Sequence, residues 1–145
     1  MKFKNILCPL DFSENMNKII NIAINLASSH GTINLFHHSV LLSPTTMSDS
    51  AVGFEADSDL KEFDIKQLED LADKLKLEHP TLNFKTYHSY LKSLVDDVND
   101  IVKNDHIDLI VMGSHGRTGL SRLFMGSIAE DVFRHATCPV FLVKL

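Results

Sequence analysis

The chain has 145 residues, the usual size of one domain, and a formal net charge of −5 with acidic and basic residues interspersed. That balance argues against the basic face that DNA or RNA binding requires, and no apolar run is long enough to cross a bilayer. The two cysteines and an N-terminus without an apolar leader predict a cytoplasmic protein with reduced thiols. We expect one domain over residues 1–145, with neither nucleic acid nor membrane as a partner.

The first quarter of the chain alternates between strand and helix patterns. Phe3–Leu10 predicts a strand, and apolar residues at helical spacing predict a helix over Asn15–Ser29. Gly31 is expected to end that helix as a C-cap glycine. Thr32–Val40 then predicts a second strand.

The second quarter predicts a loop followed by a long helix. Leu41–Asp57 is polar and has no clear period, which is typical of a loop. Asp59–Glu78 predicts an amphipathic helix that Pro80 stops. Its apolar positions are Leu60, Phe63, Leu68, Leu71, Leu75 and Leu77.

The second half repeats the alternation. The predicted elements are a strand over Leu82–His88, a helix over Leu91–Asn104, a strand over Ile107–Met112, a helix over Gly126–His135 and a strand over Pro139–Val143. Ser93 and Asp96 resemble a capping pair for the third helix. Alternating strands and helices predict an α/β fold, a parallel sheet with helices on both faces.

Cysteine and phenylalanine positions give two further expectations. Cys8 lies near the carboxyl end of the first strand and Cys138 just before the amino end of the last, so the two thiols should be too far apart for a disulfide. The phenylalanines expected in the core are Phe36, Phe84 and Phe133.

A glycine-rich segment follows the fourth strand. Glycines stand at 113, 116 and 119, and Gly126-Ser127 opens the fourth helix. Ligands of open α/β sheets bind at the carboxyl ends of strands, glycine lets the main chain approach phosphate oxygens, and a helix N-terminus attracts anions. Arg117 and Arg122 would add charge-assisted contacts. The segment predicts a phosphate cradle.

The same residues also fit roles that require no ligand. The glycines can simply make a turn, and Ser127 with Glu130 fits a capping box. Asp11 with Glu14 could cap the first helix. The adjacent His37 and His38 should point to opposite faces of a strand, and no Cys or His spacing predicts a metal site.

The spacing Gly113, two residues, Gly116, nine residues, Gly126-Ser127 resembles the G-2x-G-9x-G-[ST] pattern of the ATP-binding branch of the universal stress protein family. The segments Ile6–Glu14, Asp108–Arg117 and Pro139–Val143 are similar to that family's first strand and turn, fourth strand and loop, and closing strand. The resemblance covers the whole chain.

The resemblance implies a five-stranded parallel sheet of order 3-2-1-4-5, of the adenine nucleotide alpha hydrolase-like type. Asp11 and Gly113 would then face each other across one crevice, with Asp11 on the adenosine part and the glycines on the phosphates. The nucleotide-binding residues expected are Pro9, Asp11, Met112, Gly113, Gly116, Arg117, Gly126, Ser127 and Ile128. The expected ligand is ATP, which Mg²⁺ can accompany.

The sequence departs from the family pattern in places. His38 stands where the family often has a valine that packs near adenine, and Leu10 stands where many members have threonine or serine. The chain has no P-loop and no nucleophile elbow, because His115 occupies the nucleophile position. We therefore expect no catalytic residues.

The apolar last strand should lie at a sheet edge, where strands invite pairing. Together with the resemblance, this predicts a homodimer formed through that strand. The expected function is a nucleotide-responsive regulator of stress adaptation. The alternatives are an interaction module of the same family without nucleotide binding, and a slow ATPase or phosphotransferase.

Overall fold

The computed structural model describes residues 2–39, 50–90, 93–115 and 125–145, with the backbone alone for residues 50–58. Its elements are β1 (Phe3–Leu10), α1 (Met16–Leu26), β2 (Ala27–His38), α2 (Ser50–Glu78), β3 (Asn83–Ser89), α3 (Leu94–Asn104), β4 (Leu109–Gly113), α4 (Ser127–His135) and β5 (Val140–Val143). The strands are parallel, in the order β3-β2-β1-β4-β5, which confirms the expected topology.

Helices cover both faces of the sheet. This explains why the second half of β1 is continuously apolar. Successive side chains of a strand point to opposite faces. Ile6 and Cys8 pack in the cluster that includes residues of α1 and α2, whereas Leu7 packs in the cluster with α3 and α4. Residues 6–10 of this central strand are therefore all buried, as expected of a parallel sheet between two helical layers.

The end of α1 differs from the prediction. The helix stops at Leu26, and Ala27 is already extended with φ −67° and ψ 143°. The predicted end at Ser29 was therefore wrong. Ala27 pairs with Phe3, so the chain enters β2 without a connecting loop.

Gly31 lies inside β2, so the prediction that it caps the end of α1 was wrong. The pairing of β2 with β1 shifts register here, and His30 has a left-handed φ of 63°. A Cβ on Gly31 would lie 3.0 Å from the Ser28 carbonyl oxygen and 3.2 Å from that of Lys4. Glycine is needed because two backbone segments approach each other closely.

The predicted loop over Leu41–Asp57 is wrong in its last part, because α2 begins at Ser50. Ala51 and Ala56 favour a helix, and Gly53 opposes it by only about 1 kcal/mol. The helix therefore extends upstream from the segment with clear periodicity. Residues 41–49 lie outside the described residues.

The predicted apolar face of α2 is buried at some of its positions and exposed at others. Leu68, Ala72 and Leu75 are buried, whereas Leu60, Phe63 and Leu77 are exposed. Leu77 follows buried Leu75 by two residues, about 200° around the helix, so it lies on the opposite side. Not every leucine of the predicted face is therefore buried.

β2 starts at Ala27, five residues before the predicted Thr32, and the remaining boundaries lie within three residues of the predictions. Ser93 is the N-cap of α3, and its hydroxyl oxygen accepts a hydrogen bond of 3.2 Å from the Asp96 amide, which confirms the capping pair. Phe36 and Phe84 are in the core as expected. Phe133 is 56% exposed, so that prediction was wrong: the neighbouring Val132 is the residue that faces the sheet.

Both cysteines are free, as predicted, with Cys8 buried and Cys138 half-buried. Burial raises the pKa of the Cys8 thiol to about 12. Over the described ranges, no helix is long and apolar enough to cross a membrane.

Candidate functional site at the carboxyl edge of the sheet

The carboxyl ends of β1 and β4 lie side by side. Ile6 pairs with Leu109 and Leu7 with Ile110, and continuing this register places Leu10 level with Gly113. The chain leaves β1 toward β2 on one side, whereas β4 lies on the other side. This is the point where strand order reverses, at which open α/β sheets bind their ligands.

The turn between β1 and α1 presents a carboxylate. Asp11 is half-buried, and its Oδ1 accepts a hydrogen bond of 3.0 Å from the Ser13 amide. The N-cap of α1 is Asn15, which makes no side-chain capping bond, so the alternative in which Asp11 with Glu14 caps the helix is wrong. The second carboxylate oxygen of Asp11 has no partner among the described residues.

The end of β4 is closely packed by the chain itself. A Cβ on Gly113 would lie 2.6 Å from Cδ1 of Leu145 and 3.1 Å from the His115 carbonyl oxygen. The side chains of Pro9 and Met112 are buried. A side chain at position 113 would therefore crowd Leu145 and the His115 carbonyl, which favours glycine there. Because the side chains of Pro9 and Met112 are buried, a ligand would contact these residues through their main chain.

The N-terminus of α4 lies against the end of β4. The Gly126 amide donates a hydrogen bond of 2.8 Å to the Ser114 carbonyl oxygen. Gly126 was predicted to contact the phosphates, but its amide already has a protein acceptor and so is not available to a phosphate. The bond instead fixes the first turn of α4 beside the Ser114 main chain, at the carboxyl edge of the sheet.

Ser127 is the first helical residue, and Gly126 is the N-cap, with no side-chain capping bond. The predicted capping box of Ser127 and Glu130 is therefore wrong, because Glu130 instead accepts two hydrogen bonds from Arg134. The amides of Ser127 and Ile128 have no acceptor within the described part of the chain, and both residues are exposed. These groups carry the partial positive charge of the helix.

The structure thus gathers most of the predicted site residues at one edge. Those it places there are Pro9, Asp11, Met112, Gly113, Gly126, Ser127 and Ile128. Gly116 and Arg117, with Arg122, lie outside the described residues. The Ser114 hydroxyl lies 2.9 Å from His115 Nδ1.

Beside this edge, over β2 and β3, lies a group of polar side chains that sequence reasoning missed. We call His37, Ser39, Asp64 and His88 the histidine network. His37 Nδ1 lies 2.8 Å from the Leu10 carbonyl oxygen, and its Nε2 lies 3.4 Å from Asp64 Oδ2. Ser39 Oγ donates to Asp64 Oδ2 at 2.5 Å and lies 2.8 Å from His88 Nε2.

The electrostatics of the network favour a neutral His88. Its pKa is lowered, first by burial and then by the nearby His37. Lys61 lies 3.6 Å from the centre of the Tyr90 ring and also lowers the pKa of His88. Sequence spacing carried no sign of this network, because its members come from β2, α2, β3 and the residue after β2.

His38 points to the opposite face, as predicted for adjacent strand residues. Its Nδ1 lies 3.2 Å from Asp97 Oδ2, and both side chains are largely buried. Among the described residues, no three His, Cys, Asp or Glu side chains are arranged to hold a metal ion.

Comparison with known proteins places the chain in a family. The sequence model of the Universal stress protein family matches residues 2–144. The chain belongs to the universal stress protein family. Universal stress protein MJ0531 of Methanocaldococcus jannaschii is 29% identical over 143 residues, which are 98% of this chain and 82% of that protein.

Solved structures show the same fold. The structure of MJ0577, from the same organism, has a TM-score of 0.79 at 24% identity and covers 100% of this chain and 98% of that one. A universal stress protein in complex with cAMP has a TM-score of 0.63 at 15% identity, covering 99% and 98%. An Arabidopsis thaliana family member with AMP bound has a TM-score of 0.62 at 16% identity, covering 97% and 90%.

Proposed function

We propose that this universal stress protein binds ATP between the ends of β1 and β4 and acts as a cytoplasmic, nucleotide-responsive regulator. The observation that carries the proposal is the first turn of α4. Its Ser127 and Ile128 amides have no protein acceptor in the described residues, and the bond from Gly126 to Ser114 holds this turn next to the end of β4. Two family members of the same fold hold adenine nucleotides, AMP and cAMP, which supports this ligand class.

The phosphates would lie against α4. Unpaired amides and the helix dipole attract an anion there. The Ser127 hydroxyl makes no capping bond and is exposed, so it is available as a further donor to a phosphate oxygen. Gly126 holds this turn in place through its bond to Ser114 and does not itself contact the anion through its amide.

The adenosine part would lie against the β1–α1 turn. Asp11 keeps one carboxylate oxygen without a partner in the described residues, and a ribose hydroxyl can donate to it. Mg²⁺ would arrive with the nucleotide and bind mainly through its phosphates, as is usual for this ion.

Isothermal calorimetry with ATP and Mg²⁺ tests the proposal. We expect saturable binding, with AMP as a weaker competitor because it lacks the phosphates that α4 would hold. GTP serves as the matched control for the base. The absence of heat and of any thermal shift at millimolar ATP would refute nucleotide binding.

A homodimer through β5 is the assembly we propose. β5 is a sheet edge, and Phe141 on it is 43% exposed. On the adjacent α4, Ile128 and Phe133 are 52% and 56% exposed. An edge strand beside exposed apolar side chains favours pairing about a two-fold axis. Sedimentation should show a dimer that Phe141→Lys dissociates, and a monomer at micromolar concentration would contradict this.

An interaction module without nucleotide binding is the second candidate. It is favoured by the Gly126 amide, which the protein's own carbonyl already occupies, and by His38, which is held by Asp97. Nucleotide extraction from freshly purified protein distinguishes the two, because the interaction module would release none.

A further inference from the structure

The sheet has two edge strands, and β3 is the longer of them. β3 has seven residues, whereas β5 has four. β3 pairs with β2 along its whole length, from Asn83 to Ser89, without a shift of register. Proteins commonly protect a sheet edge by shortness, by a bulge, by proline or by lysine. β3 has no bulge and no proline, and its lysine, Lys85, is held by Asp105 at the end of α3.

The ladder between β2 and β3 shows which backbone groups of β3 point away from the sheet. The Ser39 amide donates a hydrogen bond of 2.9 Å to the Ser89 carbonyl oxygen, and the register partner of Ser89 is His38. Ser89 therefore directs its N–H and C=O toward β2, and every second residue before it does the same. The residues whose N–H and C=O point to the outer edge are Phe84, Thr86 and His88. No other strand of the described sheet lies on that side.

A groove lies beside this edge, between α2 and β3. Its volume is about 490 Å³. The buried residues that line it include Ala72 and Phe84, and the exposed ones include Glu69, Lys76 and Lys85. A strand added to β3 would therefore contact the side chains of α2 as well as the backbone of β3.

The outward-facing residues suit a second copy of β3 in antiparallel orientation. A two-fold axis perpendicular to the sheet at Thr86 would place Phe84 opposite His88 and Thr86 opposite its own copy. Two opposite residues whose backbone groups face each other exchange both of their N–H···O=C hydrogen bonds. All the outward N–H and C=O groups of these residues would then be paired in both chains, as the self-complementary contact of a two-fold dimer requires.

The charges along the groove fit the same axis. Only residues 79–82 join α2 to β3, so the chain reverses direction between them, and Lys76 lies near the start of β3 whereas Glu69 lies nearer its end. A two-fold axis brings the Glu69 end of one groove to the Lys76 end of the other. Lys76 pairs with Asp73, but an exposed pair of this kind contributes little and can exchange its partner. Charge complementarity therefore favours a second copy of this chain as the occupant.

We propose that β3 is a self-association surface, at which two copies pair edge to edge about a two-fold axis at Thr86 and form one continuous sheet. This contact does not depend on nucleotide binding. It is also separate from a dimer through β5, because β3 and β5 are opposite edges of the sheet. A chain that pairs at both edges forms assemblies that grow beyond a dimer as the protein concentration rises.

Amide hydrogen exchange of the unmodified protein tests the contact without a variant. Amides bonded within the sheet are protected in the isolated chain, so those of Lys85 and Tyr87 should exchange slowly at every concentration. The amides of Phe84, Thr86 and His88 should exchange fast in dilute solution. They should become protected as the concentration rises from micromolar to millimolar. Fast exchange of these three amides at millimolar concentration overturns the proposal.

Thr86→Pro removes an outward-facing N–H and leaves the ladder to β2 intact, a position at which edge strands tolerate proline. Thr86 of both chains lies at the axis, so each pair loses two donors. Sedimentation velocity should show that association through β3 weakens about tenfold or more. Tyr87→Pro is the matched control, because it removes a donor to β2 and should lower the melting temperature strongly. Equal destabilisation by the two prolines would show that the outward-facing residues are wrongly assigned, and would refute the contact.

A charge exchange provides a second set of variants that leave the backbone unchanged. Glu69→Lys and Lys76→Glu should each weaken association, because each places like charges at the contact. The double variant should restore association, because the two-fold axis brings one position opposite the other. Lys74→Glu makes the same change of charge on α2 outside the groove lining, and should associate like the wild type. A double variant that associates no better than the single ones contradicts the proposed axis.

Phe141→Lys separates the two edges. If β5 forms a dimer, the Phe141→Lys protein retains only association through β3, and adding Thr86→Pro should leave a monomer. If Phe141→Lys changes nothing but Thr86→Pro abolishes association, the β5 dimer fails and the β3 contact stands. If Thr86→Pro leaves the association of both backgrounds unchanged, the β3 contact is refuted, whatever the outcome for β5.

Discussion

The carboxyl edge of the sheet has two halves that use polar groups in opposite ways. Over β1 and β4, the amides of Ser127 and Ile128 and one oxygen of Asp11 have no partner in the described residues. Over β2 and β3, each polar atom named in the histidine network faces another one. The first half therefore has hydrogen-bonding groups available to a ligand, whereas the second satisfies its polar groups internally.

The two halves also differ in whether backbone groups or side chains supply the polar atoms. The half over β4 depends on backbone amides positioned by glycine and a helix terminus. The half over β2 depends on side chains contributed by separate elements. Substitutions in the two halves should therefore have different signatures, in binding for the first and in stability and pH dependence for the second.

Asp64→Ala should have the largest effect, on stability. It removes a carboxylate that accepts a hydrogen bond from Ser39 and lies 3.4 Å from His37 Nε2, and it leaves the Ser39 hydroxyl without its acceptor, which costs about 1–3 kcal/mol. Urea unfolding measures this. Asp73→Ala is the matched control, because Asp73 is exposed and pairs only with Lys76 among the residues described, so its loss should change little. If Asp64→Ala and Asp73→Ala destabilise the protein equally, the contacts of Asp64 in the histidine network do not contribute to stability as argued.

Gly126→Val should act on binding instead. The backbone there has φ −64° and ψ 147°, which valine adopts without strain, so the fold should persist. The added side chain crowds the first turn of α4, and ATP affinity should fall tenfold or more, about 1.4 kcal/mol. Gly126→Ala should give a smaller loss. Calorimetry showing wild-type affinity for the valine variant would rule out α4 as the phosphate site.

Two serines at helix starts sharpen the comparison. Ser93 caps α3, so Ser93→Ala should cost about 1 kcal/mol of stability. Ser127 caps nothing, so Ser127→Ala should leave stability unchanged and weaken ATP binding severalfold. Thermal unfolding and calorimetry of both variants measure this. A destabilised Ser127→Ala protein would show that its hydroxyl serves the helix after all.

His88 should give the smallest effect, a shallow dependence of stability on acid pH. Its pKa is lowered in the folded protein, so the unfolded chain binds the proton more readily. Stability should therefore be complete above about pH 6.5 and decline as the pH falls below that value. His88→Gln, which retains a donor for Ser39, should remove this slope in urea titrations. An unchanged slope would assign the effect to another group.

Much of the fold was predictable, because its signals are local. The strand over Phe3–Leu10 and the cap at Ser93 depend on composition and short spacing, and both were confirmed. The predicted C-cap at Gly31 was wrong because Gly31 lies inside β2, close to the carbonyl oxygens of Ser28 and of Lys4, the second of which is on another strand. A sequence pattern cannot show an approach between segments that far apart.

The site was predictable in outline but not in its contacts. The glycine spacing placed the candidate site at the carboxyl edge of the sheet, but it did not show that Leu145 packs against Gly113 or that Ser114 occupies the Gly126 amide. Asp64 carried no signal, because one carboxylate among many on α2 is typical of an exposed helix face. Its importance follows only from the packing of α2 against β2 and β3.

The two free thiols provide a reporter that requires no substitution. Cys8 is fully buried in the central strand, and burial raises its pKa to about 12, so an alkylating reagent can modify it only after the sheet opens. Cys138 is half-buried and accessible by smaller motions. The ratio of the two labelling rates in the unmodified protein therefore separates global opening from local breathing, with and without nucleotide.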